Sequence, residues 1–416
     1  MFFSVFLYVL RREKIFGLYL LFLFLYAIMP QIGYAYFSEL SEFVKAYFGD
    51  GVWYYATFHI IASILVIGLT FALFWRKIIK LIPLHMQIKG NKLKFLSDIA
   101  VGLLVCIAIF EISYFTINYQ DLNWYTVQEN DIRSGNVWLT IFLMIFKSLV
   151  SINIVLYSLV QGDIENGKRL ITKVFFVVFL VLFIVIAAKL GNRTDILAFS
   201  LGILVFHLYR DGFTIKSGAK ALIYLSLLGG GLAIIESTRY IDGGNELGTI
   251  ASILMQDYYA PAHMLFAAIN YDMIDPIHVM KSNLSNSLIL LNYPYLQMGI
   301  TDMINPGVAT RSSGYAFYIL TEGYLVAGPL GFIYNTLLVI FGWAVWRKLG
   351  MTNNQAFNNF LLALMGCMLV NLVRGQGSYF IKSLYTFILP GVLLYLMITS
   401  QSLIIRFKSG FPRFNI

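Results

Sequence analysis

Apolar residues fall in long continuous blocks along this chain, and polar residues collect in the short gaps between them. Few blocks alternate as strands do, and most run past the length of a buried core helix. A segment that crosses a bilayer as a helix needs about 20 mainly apolar residues. On that measure the pattern predicts about ten spans, at 15–36, 55–75, 95–115, 137–160, 173–189, 195–209, 221–236, 316–346, 357–373 and 383–402. The fifth and sixth are short and meet at the polar stretch Lys189–Asp195. The eighth is too long for one straight span and is expected to begin in a loop. Met1–Leu10 is apolar but too short to cross, and the run Ile15–Gly33 reads as a first span, being longer than the core of a cleavable leader. Helices are expected throughout because lipid cannot satisfy unpaired backbone groups.

Composition sharpens this. Of 416 residues, 59% are hydrophobic and 12% charged, whereas soluble domains are about half apolar and about a quarter charged. The expected fold is therefore all-α, a polytopic transmembrane bundle in one integral membrane domain over residues 1–416. The net charge of +9 would suggest nucleic acid in a soluble protein. Here its distribution matters more, and no nucleic-acid partner is expected. Arg11, Arg12 and Lys14, the six basic residues from Arg76 to Lys94, and Lys168, Arg169 and Lys173 all fall on one side of the span pattern. So do Arg210, Lys216, Lys220, Arg347, Lys348, Arg406, Lys408 and Arg413. The positive-inside rule places these segments in the cytoplasm, with both chain ends. The opposite face then carries loops at 37–54 and 116–136 and one large loop at 237–313. Within that loop, apolar runs at 250–269 and 284–298 are expected to form short surface helices.

Several chemistries are missing from the sequence. Cys106 and Cys367 sit in apolar runs and read as small hydrophobes. There is no HExxH and no set of metal-spaced ligands, so no metal and no cofactor are expected. Gly162–Arg169 is one residue short of a phosphate loop and reads as a polar turn. The inner loops are too short for a catalytic domain, so an enzyme of this design takes its driving energy from its substrate.

The outer face is more informative. Arg193, Arg239, Arg311 and Arg374 come from four separate hairpins, in the compartment the charge rule depletes of arginine. A charge near the bilayer costs a few kcal/mol unless paired or hydrated, and the guanidinium fork matches phosphate oxygens. Together they suggest a phosphate or pyrophosphate site. The competing reading is that each pairs with a local acid, from Asp195, Glu236, Asp242 or Glu322, or snorkels to water. Gly191, Gly314, Gly375 and Gly377 stand beside three of them and permit close backbone approach, or else cap helices. A base needs reach to the hydroxyl it activates, and His263, Asp257 and Glu322 are the candidates. Against this, His263 reads as an interfacial loop histidine and Glu322 as the partner of an arginine. His278 also lies in the large loop. Lys147, deep in a span, is expected to pair with Glu111 or another buried acid. His59 and His207, near span ends, are expected to be structural.

These residues resemble a family. The span layout, the large outer loop, GNRTDIL around Arg193 and RSSGYAFYILTEGYLVAGPLG from Arg311 to Gly331 make the chain similar to bacterial O-antigen or oligosaccharide repeat-unit polymerases of the Wzy type. Arg311 to Gly323 gives an Arg-x11-Gly spacing, one longer than the Arg-x10-Gly of some members, and Arg239 lacks the matching glycine. Arg193 to Leu197 fits an Arg-x3-Leu pattern of the related O-antigen ligases. The resemblance implies metal-independent transfer of an oligosaccharide from an undecaprenyl-pyrophosphate donor to an undecaprenyl-pyrophosphate-linked acceptor, at the periplasmic face of a bacterial inner membrane. The four arginines would hold pyrophosphate, and Tyr240, Tyr258, Tyr259, Tyr293 and Tyr295 would hold sugar. The membrane lipids and a chain-length regulator would be its partners. A ligase is the nearest alternative. A lipid-linked oligosaccharide flippase or another transporter is the alternative outside the enzymes, though cations gathered on one face and the lack of an internal repeat argue against it.

Overall fold

The computed structural model describes residues 2–36, 51–90, 94–118, 137–162, 166–190, 193–212, 260–288, 296–304 and 317–407. Those residues are overwhelmingly helical. The N-terminal half holds α1 (Phe2–Arg12), α2 (Lys14–Tyr36), α3 (Val52–Leu81), α4 (Lys94–Ile117), α5 (Val137–Gln161), α6 (Asn166–Leu190) and α7 (Arg193–Arg210). The C-terminal half holds α8 (Ala260–Asn270), α9 (Pro276–Leu288), α10 (Leu296–Ile304), α11 (Ile319–Ala327) and α12 (Gly331–Leu349). It continues with α13 (Gln355–Cys367), α14 (Leu369–Arg374), α15 (Tyr379–Ser383) and α16 (Leu389–Thr399). One antiparallel pair of strands, β1 (Leu84–Gly90) and β2 (Gln401–Phe407), completes the elements.

Among the described residues, seven helical stretches are long and apolar enough to cross a membrane: Lys14–Ile32, Val52–Leu81, Phe95–Ile117, Val137–Gln161, Leu170–Leu190, Ile319–Leu349 and Tyr379–Thr399. The protein is thus a multi-pass membrane protein of all-α class. The surface of α6 makes the solvent plain, since Leu170, Ile171, Val174, Val177, Val181, Ile184 and Val185 are all exposed. Water would penalise that face, and lipid does not.

The expected spans 195–209 and 357–373 take a different form. The first is α7, of 18 residues, and the second is split into α13, of 13 residues, and α14, of 6. At about 1.5 Å per residue α13 is only ~20 Å long, short of the ~30 Å hydrocarbon thickness. It turns its apolar residues inward, and Phe357 and Phe360 to Cys367 are all buried. Gly366 lies against the Val205 side chain and Gly202 against the Cys367 side chain and the Ala363 carbonyl, so each glycine makes room for the other helix. The expected span 221–236 lies outside the described residues. The long eighth span does break. A 3₁₀ turn, Gly328–Leu330, separates α11 from α12, and Gly328 has a φ of 56°, which favours glycine. Of the two apolar runs expected to form helices, 250–269 contains most of α8, and 284–298 overlaps the end of α9 and the start of α10; residues 250–259 and 289–295 lie outside the described residues. The predicted inner loop 76–94 gains the strand β1, paired residue for residue with β2 from Leu84↔Phe407 to Gly90↔Gln401.

Contacts group the chain into two compact units, each drawn from separated segments. The first is Met1–Ile78, Asn245–Ala344 and Leu369–Lys382. The second is Ile79–Gly244, Val345–Met368 and Ser383–Ile416. The first has an aromatic core in which Phe16 stacks on Phe71 at 4.2 Å and meets Trp343 edge-on at 6.2 Å. In the second, Tyr395 stacks on Phe360 at 4.5 Å, and Ser151 donates to the Phe387 carbonyl within a π-helical turn, Leu384–Ile388.

Candidate functional site

The chemistry in the first unit is organised by Glu322. Its helix α11 is apolar on every side, and the residue is 0% exposed. Burying a carboxylate demands hydrogen bonds, and three converge. Asn283 Nδ2 of α9 donates to Oε1 at 2.7 Å, Tyr334 Oη of α12 donates to Oε1 at 2.6 Å, and the Gly377 backbone N–H donates to Oε2 at 2.6 Å. Gly377 lets the turn approach closely, because a Cβ there would stand 2.9 Å from Oε1 and 2.6 Å from Leu338, and both would have to shift. The same segment is tied a second time, Asn286 Nδ2 donating to Gln376 Oε1 at 3.0 Å. The turn from Arg374 to Ser378 is thereby fixed by polar groups of α9 and α11.

Arg374 closes α14 at the start of this turn and is half-buried, its guanidinium 5.9 Å from the Tyr26 ring centroid. Among the described residues no basic group lies within ion-pair distance of Glu322, whose three bonds go to an amide, a phenol and a backbone N–H. Arg311, the arginine nearest to it in sequence, lies outside the described residues.

Beside this cluster lies a cleft of about 360 Å³, lined by Asp272, Asp275 and His278 with Ile274, Val279, Leu296, Ile300 and Leu325. Leu325 is one helical turn beyond Glu322. Local sequence builds the cleft. Helix α8 ends where Asp272 takes a φ of 45°, a conformation Asp tolerates. Asp275 then caps α9 by accepting from the His278 N–H at 2.9 Å, and its own N–H bonds the Leu325 carbonyl at 2.9 Å. Two carboxylates and an imidazole on a partly apolar wall suit a polyhydroxylated ligand.

His263 sits elsewhere in this unit, on α8, half-buried between the rings of Tyr34 and Phe266 at 6.5 and 6.4 Å. Burial pushes its imidazole down to about 4. A base works best with a pKa near the working pH, which counts against His263 in that role. His59 is buried on α3, its Nε2 3.0 Å from the Leu320 carbonyl, and is structural. His207 lies between Tyr157 Oη at 2.7 Å and Asp211 at 2.8 Å, in the second unit.

The expected Lys147–Glu111 pair does not form. Lys147 is exposed on α5, while Glu111 is 0% exposed on α4, and neither of its oxygens has a hydrogen-bond partner. The two helices pack, but they turn these side chains in different directions. Of the remaining expected site residues, Arg239, Arg311, Asp257, Tyr240, Tyr258, Tyr259, Tyr293 and Tyr295 lie outside the described residues, and of Arg193 only its place as the first residue of α7 is described. Asn283, Tyr334, Asp272 and Asp275 were not singled out from sequence. The one available signal was the polar run Asn283–Ser287 inside an otherwise apolar stretch. No group of three or more metal-ligating side chains occurs among the described residues.

Comparison with family models, with curated proteins and with solved structures found no match to this chain.

Proposed function

We propose that this protein is a glycosyltransferase that polymerises undecaprenyl-pyrophosphate-linked oligosaccharide repeats at the periplasmic face of a bacterial inner membrane. The observation that carries the reading is the Glu322 cluster, which draws three segments to one polar point. These are α9 of the large loop, the α11–α12 pair and the turn after Arg374. All three fall on the outer side by the distribution of Lys and Arg. A lipid-linked sugar needs a polar site at that depth, because its prenyl tail stays in the bilayer while its head lies at the surface.

The roles divide by chemistry. Arg374, with Arg311, neutralises the pyrophosphate that leaves when the glycosidic bond to the new acceptor forms. The acceptor hydroxyl enters the cleft of Asp272, Asp275 and His278, where one of these groups, or Asp257 from the same loop, takes its proton. Glu322, already holding three donors, positions the Arg374 turn. The tyrosines of the large loop hold sugar.

Both chain ends lie in the cytoplasm, and ten crossings satisfy the charge distribution. Pairing of β1 with β2 supports this count. It keeps residues 84–90 and 401–407 on one face, which requires an even number of crossings between them. Five long apolar helices lie between, so an odd number of further crossings must come from α7, 221–236 and α13–α14.

The test is purified protein in nanodiscs with synthetic undecaprenyl-pyrophosphate repeats. Polymer is expected with chelator present and nucleotide absent. Arg374→Ala should reach the membrane and make none, and Arg374→Lys should restore little, lacking the planar fork. Normal polymer from Arg374→Ala would remove the pyrophosphate role. Transfer only to a lipid A core acceptor would make the protein a ligase. Movement of intact lipid-linked units without polymer would make it a flippase.

A further inference from the structure

Helix α4 buries one stripe and exposes the rest. Ala100, Leu104, Ala108 and Glu111 recur at helical spacing on the buried stripe, while Leu103, Val105, Ile109 and Ile112 are exposed apolar residues of the lipid-facing surface. A carboxyl group thus ends an apolar stripe that faces α5, α6 and α16 of the second unit. It is 0% exposed, and both of its oxygens are without a hydrogen-bond partner.

No titratable group among the described side chains of the neighbouring helices meets it. On α5, Lys147 is exposed and Tyr157 bonds His207. On α6 stand Lys168, Arg169, Lys173 and Lys189, and on α16 Tyr395 is stacked on Phe360. Tyr114, on α4 itself, stacks on Phe142 at 4.5 Å. Among the described residues none makes an ion pair or hydrogen bond with Glu111. An isolated buried carboxylate is too costly to persist, and such a group neutralises instead. A metal cation would need several oxygen ligands around it, and no group of three or more His, Cys, Asp or Glu side chains occurs among the described residues. A proton needs one oxygen. Ionisable residues inside a span that face the bundle recur in proton relays.

We infer that Glu111 is a reversible proton-binding site in the interior of the second unit, a site that the transferase chemistry proposed for the first unit does not use. Dicyclohexylcarbodiimide tests this directly, because it is apolar and reacts with the neutral acid. The carboxyl proton passes to a carbodiimide nitrogen, the carboxylate oxygen adds to the central carbon, and the adduct rearranges to a stable N-acylurea with nothing lost. Full-length protein in nanodiscs, without substrate, should carry one such adduct on Glu111 by peptide mass spectrometry. The rate should fall as the pH is raised, and a water-soluble carbodiimide should leave the residue untouched. Glu111→Gln, monodisperse on size exclusion, should lack the adduct and also the neutral-acid carbonyl band in the infrared difference spectrum. No adduct and no band on a monodisperse wild type would overturn the inference. So would modification by the water-soluble reagent, or a rate indifferent to pH while the protein stays folded. Because no glycan is present, failure here is separate from failure of the transferase reading.

Discussion

Glu322 and Glu111 are both fully buried acids on apolar helices, one in each compact unit, and they could hardly be treated more differently. Glu322 accepts three hydrogen bonds from residues 39, 12 and 55 positions away in sequence. Glu111 accepts none. The same side chain is a tertiary anchor in one place and a solitary titratable group in the other. Burial alone does not assign a role to a carboxyl group. What assigns it is whether the surrounding chain spends donors on it.

Removing both acids gives the largest contrast. Glu322→Ala orphans three donors, and each buried unsatisfied donor costs about 1–3 kcal/mol. It should lower the melting point of the detergent-solubilised protein sharply, with a net loss of about 3 kcal/mol or more, and abolish polymer formation. Glu111→Leu removes an unsatisfied group and should be neutral or stabilise by about 1 kcal/mol. Equal losses at the two sites in thermal-shift measurements would break the comparison.

Tyr334→Phe deletes one donor and keeps the ring. A hydrogen bond to a carboxylate contributes about 1.5–3 kcal/mol, so this variant should lose about 2 kcal/mol with its membrane level preserved. Gly377→Ala acts through geometry, since its Cβ must displace Leu338 and the Glu322 carboxyl. A cost of about 1 kcal/mol is expected, with a larger fall in turnover than in stability if the Arg374 turn orients the donor. A fall in stability alone would leave the cluster with a purely structural duty.

His263 gives the smallest effect at neutral pH and sharpens the comparison from a third environment. Its folded pKa of about 4 lies below the unfolded value near 6.5. The unfolded chain therefore binds more protons between those values. The stability it contributes is full above about 6.5 and is lost as the pH falls toward about 4, with a slope of at most ~1.4 kcal/mol per pH unit. His263→Phe should flatten the melting-point profile in that window and leave it unchanged near neutrality. A profile identical to wild type would mean that the imidazole is not desolvated.

Much of the architecture was legible in the sequence because hydrophobic length is a local property. Runs such as Phe95–Ile117 and Leu170–Leu190 are spans on composition alone, whatever they touch, since the bilayer imposes the same demand at every point. Where length was marginal, composition did not decide the form. Residues 357–373 read as one span and fold as two helices that part at Met368, with the apolar residues of α13 buried. The β1–β2 pairing was equally hidden, because the partners stand more than 300 residues apart and neither alternates clearly.

The candidate site divides along the same line. Sequence alone identified Glu322, Arg374 and Gly377 as unusual, since each places charge or backbone flexibility in an apolar setting where it costs free energy. It left open whether Glu322 would be a base or an arginine's partner, and it paired Lys147 with Glu111 on charge alone. Those questions turn on direction and distance between segments far apart in the chain. Only the tertiary structure decided that Asn283, Tyr334 and Gly377 meet Glu322, that Lys147 points outward, and that Glu111 is left alone. Composition sets the solvent a segment requires, whereas the partner of a buried polar group is set by how the helices pack.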